Sequence, residues 1–346
     1  MTSTTLVTRL DNAGDVLLAG PAVRAAARRG PVHVLCGPRG RGAADLLPGV
    51  DGVLVHRAPW IVPDPMAVSQ PDALALVDQV RALGVERAAI LGSSHQSPLP
   101  LALLLRWAGV AEIAAVSHDH AGALLDHRIT GDPDVHEVLR GLLVTRALGL
   151  PDPEDDRLRL DLGPDVDDPV PGAEPGPDLV VVHPGSSVPA RTMAPRQWRR
   201  AVAALARTDR RVAVTGGGGE KRLTAFASGD HPHVLDLGGR TTLRHLARLV
   251  AGAGVLVTGN TGPMHVAAAV GTPVVAVFPP TVPVDRWRPW RVPHVVLGDQ
   301  SVPCAGCRSR RCPLGDQVCV SRISAGEVVG AVDRLAGARV SEATGA

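Results

Sequence analysis

Short apolar runs alternate along this chain with longer segments in which apolar residues recur at helical spacing. Thr5–Leu10, Val32–Cys36, Val53–His56 and Ala88–Leu91 read as strands. Val16–Gly30, Asp72–Leu83, Pro98–Ala108 and His136–Leu148 carry the i, i+3, i+4 pattern of helices, the first closed by Gly30 as its C-cap. Strand–helix–strand units of roughly thirty residues predict a parallel α/β sheet. In such folds ligands gather at the carboxyl ends of the strands, which here means Asp11–Asp15 and Gly92–Gln96.

The pattern breaks sharply once. Pro151 to Asp178 holds seven prolines and ten acids, the composition of a domain boundary, with an Arg157–Leu162 alternation that reads as a last, exposed strand of the first half. The alternation of elements then restarts. Leu179–His183, Arg211–Thr215 and Val234–Leu237 are expected strands; Arg196–Arg207, Thr242–Ala253 and Ser324–Leu335 are expected helices. A chain of 346 residues is long for one core, so two domains are expected. The divisions are residues 1–165, a linker at 166–178, a second domain at 179–322 and a terminal helix and tail at 323–346.

One stretch stands out within the second half. Gly254–Pro280 reads as a buried strand (Val255–Val257), a small polar turn (Thr258–Gly262), a helix opened by Pro263 and a second strand (Val274–Phe278). Proline suits the first helical position because its missing N–H has no helical partner there. The turn lets backbone N–H groups point at a ligand while the helix dipole adds positive potential, a combination matched to phosphate or diphosphate. An ordinary crossover whose Asn260 and Thr261 only cap the helix is the other reading.

Composition narrows the function classes. The net charge is +2 and the chain has no tyrosine and two phenylalanines, so neither a basic footprint nor aromatic stacking platforms point to nucleic acid. No apolar run of about eighteen residues predicts a membrane span, and the first residues lack a signal-peptide pattern, so a cytoplasmic enzyme is expected.

Several residues carry candidate chemistry. Asp15 sits at a strand-to-helix junction, where a carboxylate either favours the helix N-terminus or serves as a general base facing a cleft. Arg191, beside Gly185–Ser187, has the geometry to hold a phosphate with two parallel hydrogen bonds; it is also one of many surface arginines. Gly216–Gly219 with Glu220 lacks the GxGxxG frame of a dinucleotide site. His118, Asp119 and His120 have metal-ligating side chains, yet without a third spaced ligand a solvated or substrate-facing loop at Ser117–Val135 is the better reading. Cys304, Cys307, Cys312 and Cys319 are four thiols at short spacing; a structural zinc ion, reduced thiols packing a loop, and an iron–sulfur cluster are the readings in play.

Taken together, RLDNAGDVLLAGPAVRAA, HPGSS, ARTMAP, VTGGGGE, GNTGPMHVAAAVGTPVVAVFPPT and the late cysteines resemble the ADP-heptose:lipopolysaccharide heptosyltransferases of glycosyltransferase family 9. The resemblance runs from about Leu6 to Val329 and implies a GT-B architecture: two Rossmann-like domains with parallel sheets facing a cleft, acceptor on the N-terminal side and nucleotide-sugar on the C-terminal side. It implies Asp15 as catalytic base and Arg191 as the cation on the donor phosphates, where the family commonly has lysine. It further implies donor contacts from Ser186, Ser187, Glu220, Asn260, Thr261, Gly262 and His265. Where the family often has aspartate, this chain has Asn260, which keeps hydrogen bonding but adds a donor and removes a charge.

The expectation is then an inverting, metal-independent transferase. An ADP-linked heptose or similar sugar is the donor, and a glycan, glycolipid or small metabolite is the acceptor, with peripheral contact to the inner face of the cytoplasmic membrane where the acceptor is a lipid. No cofactor is required for catalysis, and structural zinc is the candidate metal. A nucleotide-sugar epimerase of the same architecture and a non-catalytic nucleotide-sugar-binding protein are the alternatives.

Overall fold

The computed structural model describes residues 3–62, 64–131, 134–164 and 173–344. The chain forms two compact units, Met1–Asp161 and Leu162–Ala346. Residues 166–172 of the expected linker at 166–178 lie outside the described residues.

The N-terminal unit follows the expected rhythm with more pieces. Its order is β1 (Thr4–Arg9), α1 (Ala13–Leu18), α2 (Gly20–Ala27), β2 (Val32–Cys36), α3 (Arg41–Ala44) and β3 (Gly52–Val55). There follow α4 (Gln70–Ala82), β4 (Val85–Leu91), α5 (Leu99–Trp107), β5 (Glu112–Val116), β6 (His127–Ile129) and α6 (Glu137–Ala147). The six strands form one parallel sheet in the order β3-β2-β1-β4-β5-β6.

Three expectations for this unit are corrected. The single helix read over Val16–Gly30 is two, broken at Ala19, because Pro21 has no N–H to continue the ladder back to Leu17. The Ser117–Val135 loop contains the edge strand β6, too short and polar to show a period. Arg157–Leu162 forms no strand. It runs as an extended segment fixed by the Arg24 guanidinium, which donates to the carbonyls of Asp155 (3.1 Å) and Arg157 (2.5 Å), and by the Asp161 N–H, which donates to the Leu46 carbonyl. Its alternating pattern reflects the burial of Leu158 alone.

The C-terminal unit repeats the topology. It runs β7 (Gly176–His183), α7 (Pro195–Leu205), β8 (Arg211–Gly216), α8 (Lys221–Ser228), β9 (Val234–Gly238) and α9 (Leu243–Ala251). It continues with β10 (Ala253–Gly259), α10 (Gly262–Val270), β11 (Val274–Val277), α11 (Val284–Trp287), β12 (His294–Leu297), α12 (Val318–Ser321) and α13 (Ala325–Thr344). Its parallel sheet has the order β12-β11-β10-β7-β8-β9, the same sequence of steps from the middle outwards. The strands read as continuous apolar runs because helices cover both faces; all seven residues of β10 are buried. Trp198, the largest fully buried side chain, packs with Val180, Val182, Leu205, Val328 and Val332 on one face, while Met264, Leu237, Leu256 and Phe278 fill the other. α10 starts at Gly262, one residue before the expected Pro263, which occupies the second helical position.

In each unit the strand order reverses direction between the first and fourth strands, β1/β4 and β7/β10. Open α/β sheets bind ligands at the carboxyl ends of such a pair. The segments after β1, β7 and β10 hold Asp15, Ser186, Ser187, Arg191, Asn260, Thr261, Gly262 and His265, whereas Glu220 follows β8 and the four cysteines follow β12.

Candidate active site

In the N-terminal unit the site begins with a charged residue inside a strand. Arg9, the last residue of β1, is buried, and its guanidinium meets three carboxylates: Asp11 Oδ2 at 2.8 Å, Asp15 Oδ1 at 3.2 Å and Glu137 Oε2 at 3.3 Å. It also donates to Ser93 Oγ at 3.0 Å in the loop after β4. Asp15 stands in the first turn of α1, where its Oδ2 accepts the Asn12 N–H at 3.2 Å and so caps the helix. Gln96 donates to Asp11, and Arg140 of α6 donates to the Gly92 carbonyl. Burial pushes the Asp11 and Glu137 carboxyls above their usual range, against the pull of Arg9. Burial alone would lower Arg9, but its three acidic neighbours outweigh that and hold the guanidinium firmly charged. Beside the cluster lies a cavity of about 10 Å³ lined by Arg9, Asp15, Gly92, Glu137 and Arg140, room for about one water molecule. A larger hollow of about 290 Å³ in the same unit is lined by His56, Trp60, Met66, Ser69, Asp72 and Gln79.

In the C-terminal unit two loops distant in sequence meet. The loop after β7 carries Ser186, Ser187 and Arg191; the turn after β10 carries Asn260, Thr261 and Gly262. The Asn260 N–H donates to the Arg191 carbonyl at 3.1 Å. That approach needs Gly259, since a Cβ there would stand 2.6 Å from the same carbonyl oxygen. The Arg191 loop is braced from behind: the Trp198 Nε1–H donates to Thr192 Oγ1, which donates to the Pro184 carbonyl, both at 2.9 Å. Thr258 Oγ1 donates to the His183 carbonyl at 3.0 Å and lies 3.3 Å from Thr261 Oγ1, tying β7 to β10 at their ends.

This arrangement collects hydrogen-bond donors. Gly262 is the first residue of α10, so its amide has no partner within the helix. Asn260 is buried, and its Nδ2 makes no hydrogen bond within the described protein. A buried amide donor costs free energy unless something accepts from it. His265, in the first turn and a half of α10, is also buried.

The remaining expected residues are placed differently. Ser186 is occupied locally, donating to the Val188 carbonyl at 2.9 Å and accepting the Val188 N–H at 3.1 Å, while Ser187 is exposed. Glu220 Oε2 accepts the Gly217 N–H at 2.6 Å and lies 3.7 Å from His183 Nε2. A Cβ on Gly185 would fall 2.1 Å from Glu220 Oε1, so the glycine after Pro184 makes room for this carboxylate. Glu220 thus organises two loops, a role the sequence reading did not assign. Burial lowers the His183 pKa, partly opposed by Glu220, and its Nδ1 pairs with Thr215 Oγ1 at 3.0 Å.

The cysteine segment packs behind the Arg191 loop. The Ala190 N–H donates to the Arg310 carbonyl (3.1 Å), the Gly306 N–H to the Pro280 carbonyl (2.7 Å) and the Arg308 N–H to the Thr281 carbonyl (2.9 Å). All four cysteines are free thiols; burial raises Cys319, and the nearby Cys304, Cys312 and Cys307 raise it further. Among the described residues, no three His, Cys, Asp or Glu side chains stand in a metal-holding arrangement, in this segment or at the exposed His118, Asp119 and His120.

The pattern of glycosyltransferase family 9 (heptosyltransferase) matches residues 94–317, well over half of the sequence and spanning the donor-rich turn at 259–262. The chain belongs to glycosyltransferase family 9. Among curated relatives, the lipooligosaccharide heptosyltransferase 2 of Campylobacter jejuni is 26% identical over 102 residues, which cover 30% of this chain and 32% of that protein. The matched stretch therefore spans about a third of the relative's length. Among solved structures, a family 9 glycosyltransferase from Veillonella parvula superposes with TM-score 0.75 at 17% identity, covering 97% of both chains. The ADP-heptose lipopolysaccharide heptosyltransferase II of Escherichia coli superposes with TM-score 0.74 at 18% identity, covering 97% of this chain and 99% of that one. At these identities the structural likeness establishes the GT-B fold. No helix among the described residues of this family 9 chain is long and apolar enough to cross a membrane.

Around Asp15, the sequence reading named Gly92–Gln96, which supplies Ser93 and Gln96, and missed the cluster's partners Arg9 and Glu137. Arginine and glutamate 128 positions apart carry no local signal of pairing. The one clue was a lone charged residue at the end of a largely buried strand.

Proposed function

We propose that this chain is an inverting glycosyltransferase that moves a heptose, or a similar sugar, from an ADP-linked donor to a hydroxyl of a glycan, glycolipid or metabolite. The observation that carries the reading is the donor set at the start of α10. The buried Asn260 Nδ2 lacks a protein acceptor and sits beside the first amides of a helix, on the turn whose backbone is bonded to Arg191. A set of fixed N–H donors with a helix dipole and a guanidinium suits the oxygens of a diphosphate and its sugar.

In this proposal Asp15 takes the proton of the acceptor hydroxyl as its oxygen attacks the anomeric carbon. The bond from that carbon to the β-phosphate oxygen breaks, and ADP leaves with the electron pair. The leaving diphosphate is a good one, so no second carboxylic acid is needed. Arg191, the Thr261 and Gly262 amides and the α10 dipole stabilise its charge. Ser187 and His265 add hydrogen bonds to the donor, and the free oxygen of Glu220 serves the ribose. Asn260 would meet a sugar or phosphate oxygen, and its lack of negative charge widens the donors to be tested. We place the activity in the cytoplasm, with peripheral membrane contact where the acceptor is a lipid.

We also propose a structural zinc ion on Cys304, Cys307, Cys312 and Cys319. Their number and their short spacing in the sequence support it. Thiolates suit zinc, and the catalytic steps above use protein groups alone. Metal analysis of the purified protein, with and without a chelator, tests this; a metal-free protein of unchanged melting temperature refutes it.

The central test is a screen of ADP-, GDP- and UDP-sugars by melting shift, then incubation of the binding donor with candidate acceptors and mass spectrometry. A new glycoside with released ADP is expected. A free epimer of the donor sugar without glycoside would turn the assignment to an epimerase, and binding with no turnover of any donor to a non-catalytic protein.

A further inference from the structure

The cluster around Asp15 poses a physical problem. A general base works best when its proton affinity is matched to the operating pH, yet a guanidinium beside a carboxylate stabilises the ionised form and weakens it as a base. Arg9 is buried and holds Asp15 Oδ1 at 3.2 Å with Nη2. The same guanidinium is shared: its Nε lies 2.8 Å from Asp11 and its Nη1 3.3 Å from Glu137.

We propose that Arg9 is the positioning residue of Asp15, and that Asp11 and Glu137 divide its charge so that it orients the carboxylate without disabling it as a base. The proposal rests on the reading of Asp15 as the catalytic base. The geometry supports it in three ways. Asp15 is held at both oxygens, by Arg9 at Oδ1 and by the Asn12 amide at Oδ2, so its plane is fixed. Two oxygens offer about four acceptor positions, which leaves room for a substrate hydroxyl. The partners come from four separate segments: Arg9 on β1, Asp11 and Asp15 after it, Ser93 after β4, and Glu137 on α6, with Arg140 and His95 as the remaining charged or titratable neighbours. Arg140 is bonded to the Gly92 carbonyl and pulls on Glu137, while His95 acts on Asp11. Glu137 is 2% exposed at its side chain, a costly place for a carboxylate unless its charge is used.

The two partners act on Asp15 in opposite directions. Removing Glu137's charge leaves Arg9 more fully committed to Asp15, and removing Arg9's charge leaves Asp15 facing two other acids. The test is the transfer assay on the full chain, with kcat and the KM values for donor and acceptor read separately. Arg9→Met is expected to lower kcat by about 10-fold or more with both KM values within about twofold, Arg9→Lys to recover part of that loss, and Glu137→Gln to lower kcat by a smaller factor in the same way. A purely structural role lowers the melting temperature of these variants and leaves kcat of the folded protein in place, which would overturn the proposal. Should Arg9→Met not fold, Glu137→Gln, which keeps the shape of the cluster, decides alone. Asp15→Asn separates the two readings in the same assay. Retained turnover refutes Asp15 as base and this inference with it, whereas lost turnover in Asp15→Asn with unchanged kcat in the Arg9 and Glu137 variants refutes only the sharing of Arg9.

Discussion

The Asn260 amide donates to the carbonyl of Arg191 across 3.1 Å, joining two loops that lie 69 positions apart in the chain (260 − 191). One backbone hydrogen bond thus sets where the arginine loop sits against the start of α10. It is possible only because the preceding residue, Gly259, has no Cβ.

Gly259→Ala is expected to damage this contact specifically. The added methyl would meet the Arg191 carbonyl oxygen at 2.6 Å, backbone against backbone, so the loop must move. Overpacking of this kind costs about 1–3 kcal/mol. Denaturant unfolding should show that loss, and the melting shift produced by ADP should shrink more than the stability loss accounts for. An unchanged ADP shift would separate the contact from nucleotide binding.

Arg191→Ala and Asn260→Ala should differ from each other. Loss of the guanidinium is expected to weaken ADP by about 10-fold or more, while adenosine, which has no phosphate, binds as before. Asn260 Nδ2 makes no hydrogen bond within the described protein, so its removal should change the stability of the ligand-free protein little. Its cost should appear in affinity for the intact nucleotide-sugar. Calorimetric titration with adenosine, ADP and ADP-heptose distinguishes the two.

Stability should fall on mild acidification through His183. Burial lowers its folded pKa below the ordinary 6.5. The unfolded chain therefore binds the proton more readily, and the stability associated with neutral His183 is complete above pH 6.5 and lost as the pH drops below it. Asp11 and Glu137 have the opposite sign: burial raises them, so their share is lost as the pH rises through their folded values. Melting curves of wild type and His183→Gln between pH 5 and 8 isolate the histidine. The variant should show the shallower acid decline.

Thiol chemistry should divide the five cysteines. Cys36 is buried in β2, and burial pushes its thiol up to about 11, so it should resist a disulfide reagent at pH 8 until the protein unfolds. Cys307 is exposed, and Cys304, Cys312 and Cys319 are partly so. Four thiols should titrate in the native protein, at once if metal-free and after chelation if the proposed zinc is bound.

The local pattern was enough to establish two α/β units with parallel sheets, because most strands are apolar runs, the edge strand β6 excepted, and the longer connecting helices have a periodic face. The turn at Thr258–Gly262 was equally legible, since its glycines, small polar residues and following proline act through the backbone close to where they stand. Element breaks that depend on a single missing N–H, such as the division at Pro21, were readable in principle and passed over. The false strand at Arg157–Leu162 shows the opposite failure: alternation alone does not make a strand where no partner strand offers hydrogen bonds. Partnership across the chain was decided only by the tertiary fold. Parallel strands bring their carboxyl ends together whatever their separation in sequence. That is how Arg9 finds Glu137, how the Arg191 carbonyl reaches Asn260, and how Glu220 comes to lie against Gly185. None of these pairs has a periodic signature, because the contact energy depends on distance in space, and the sheet order sets that distance.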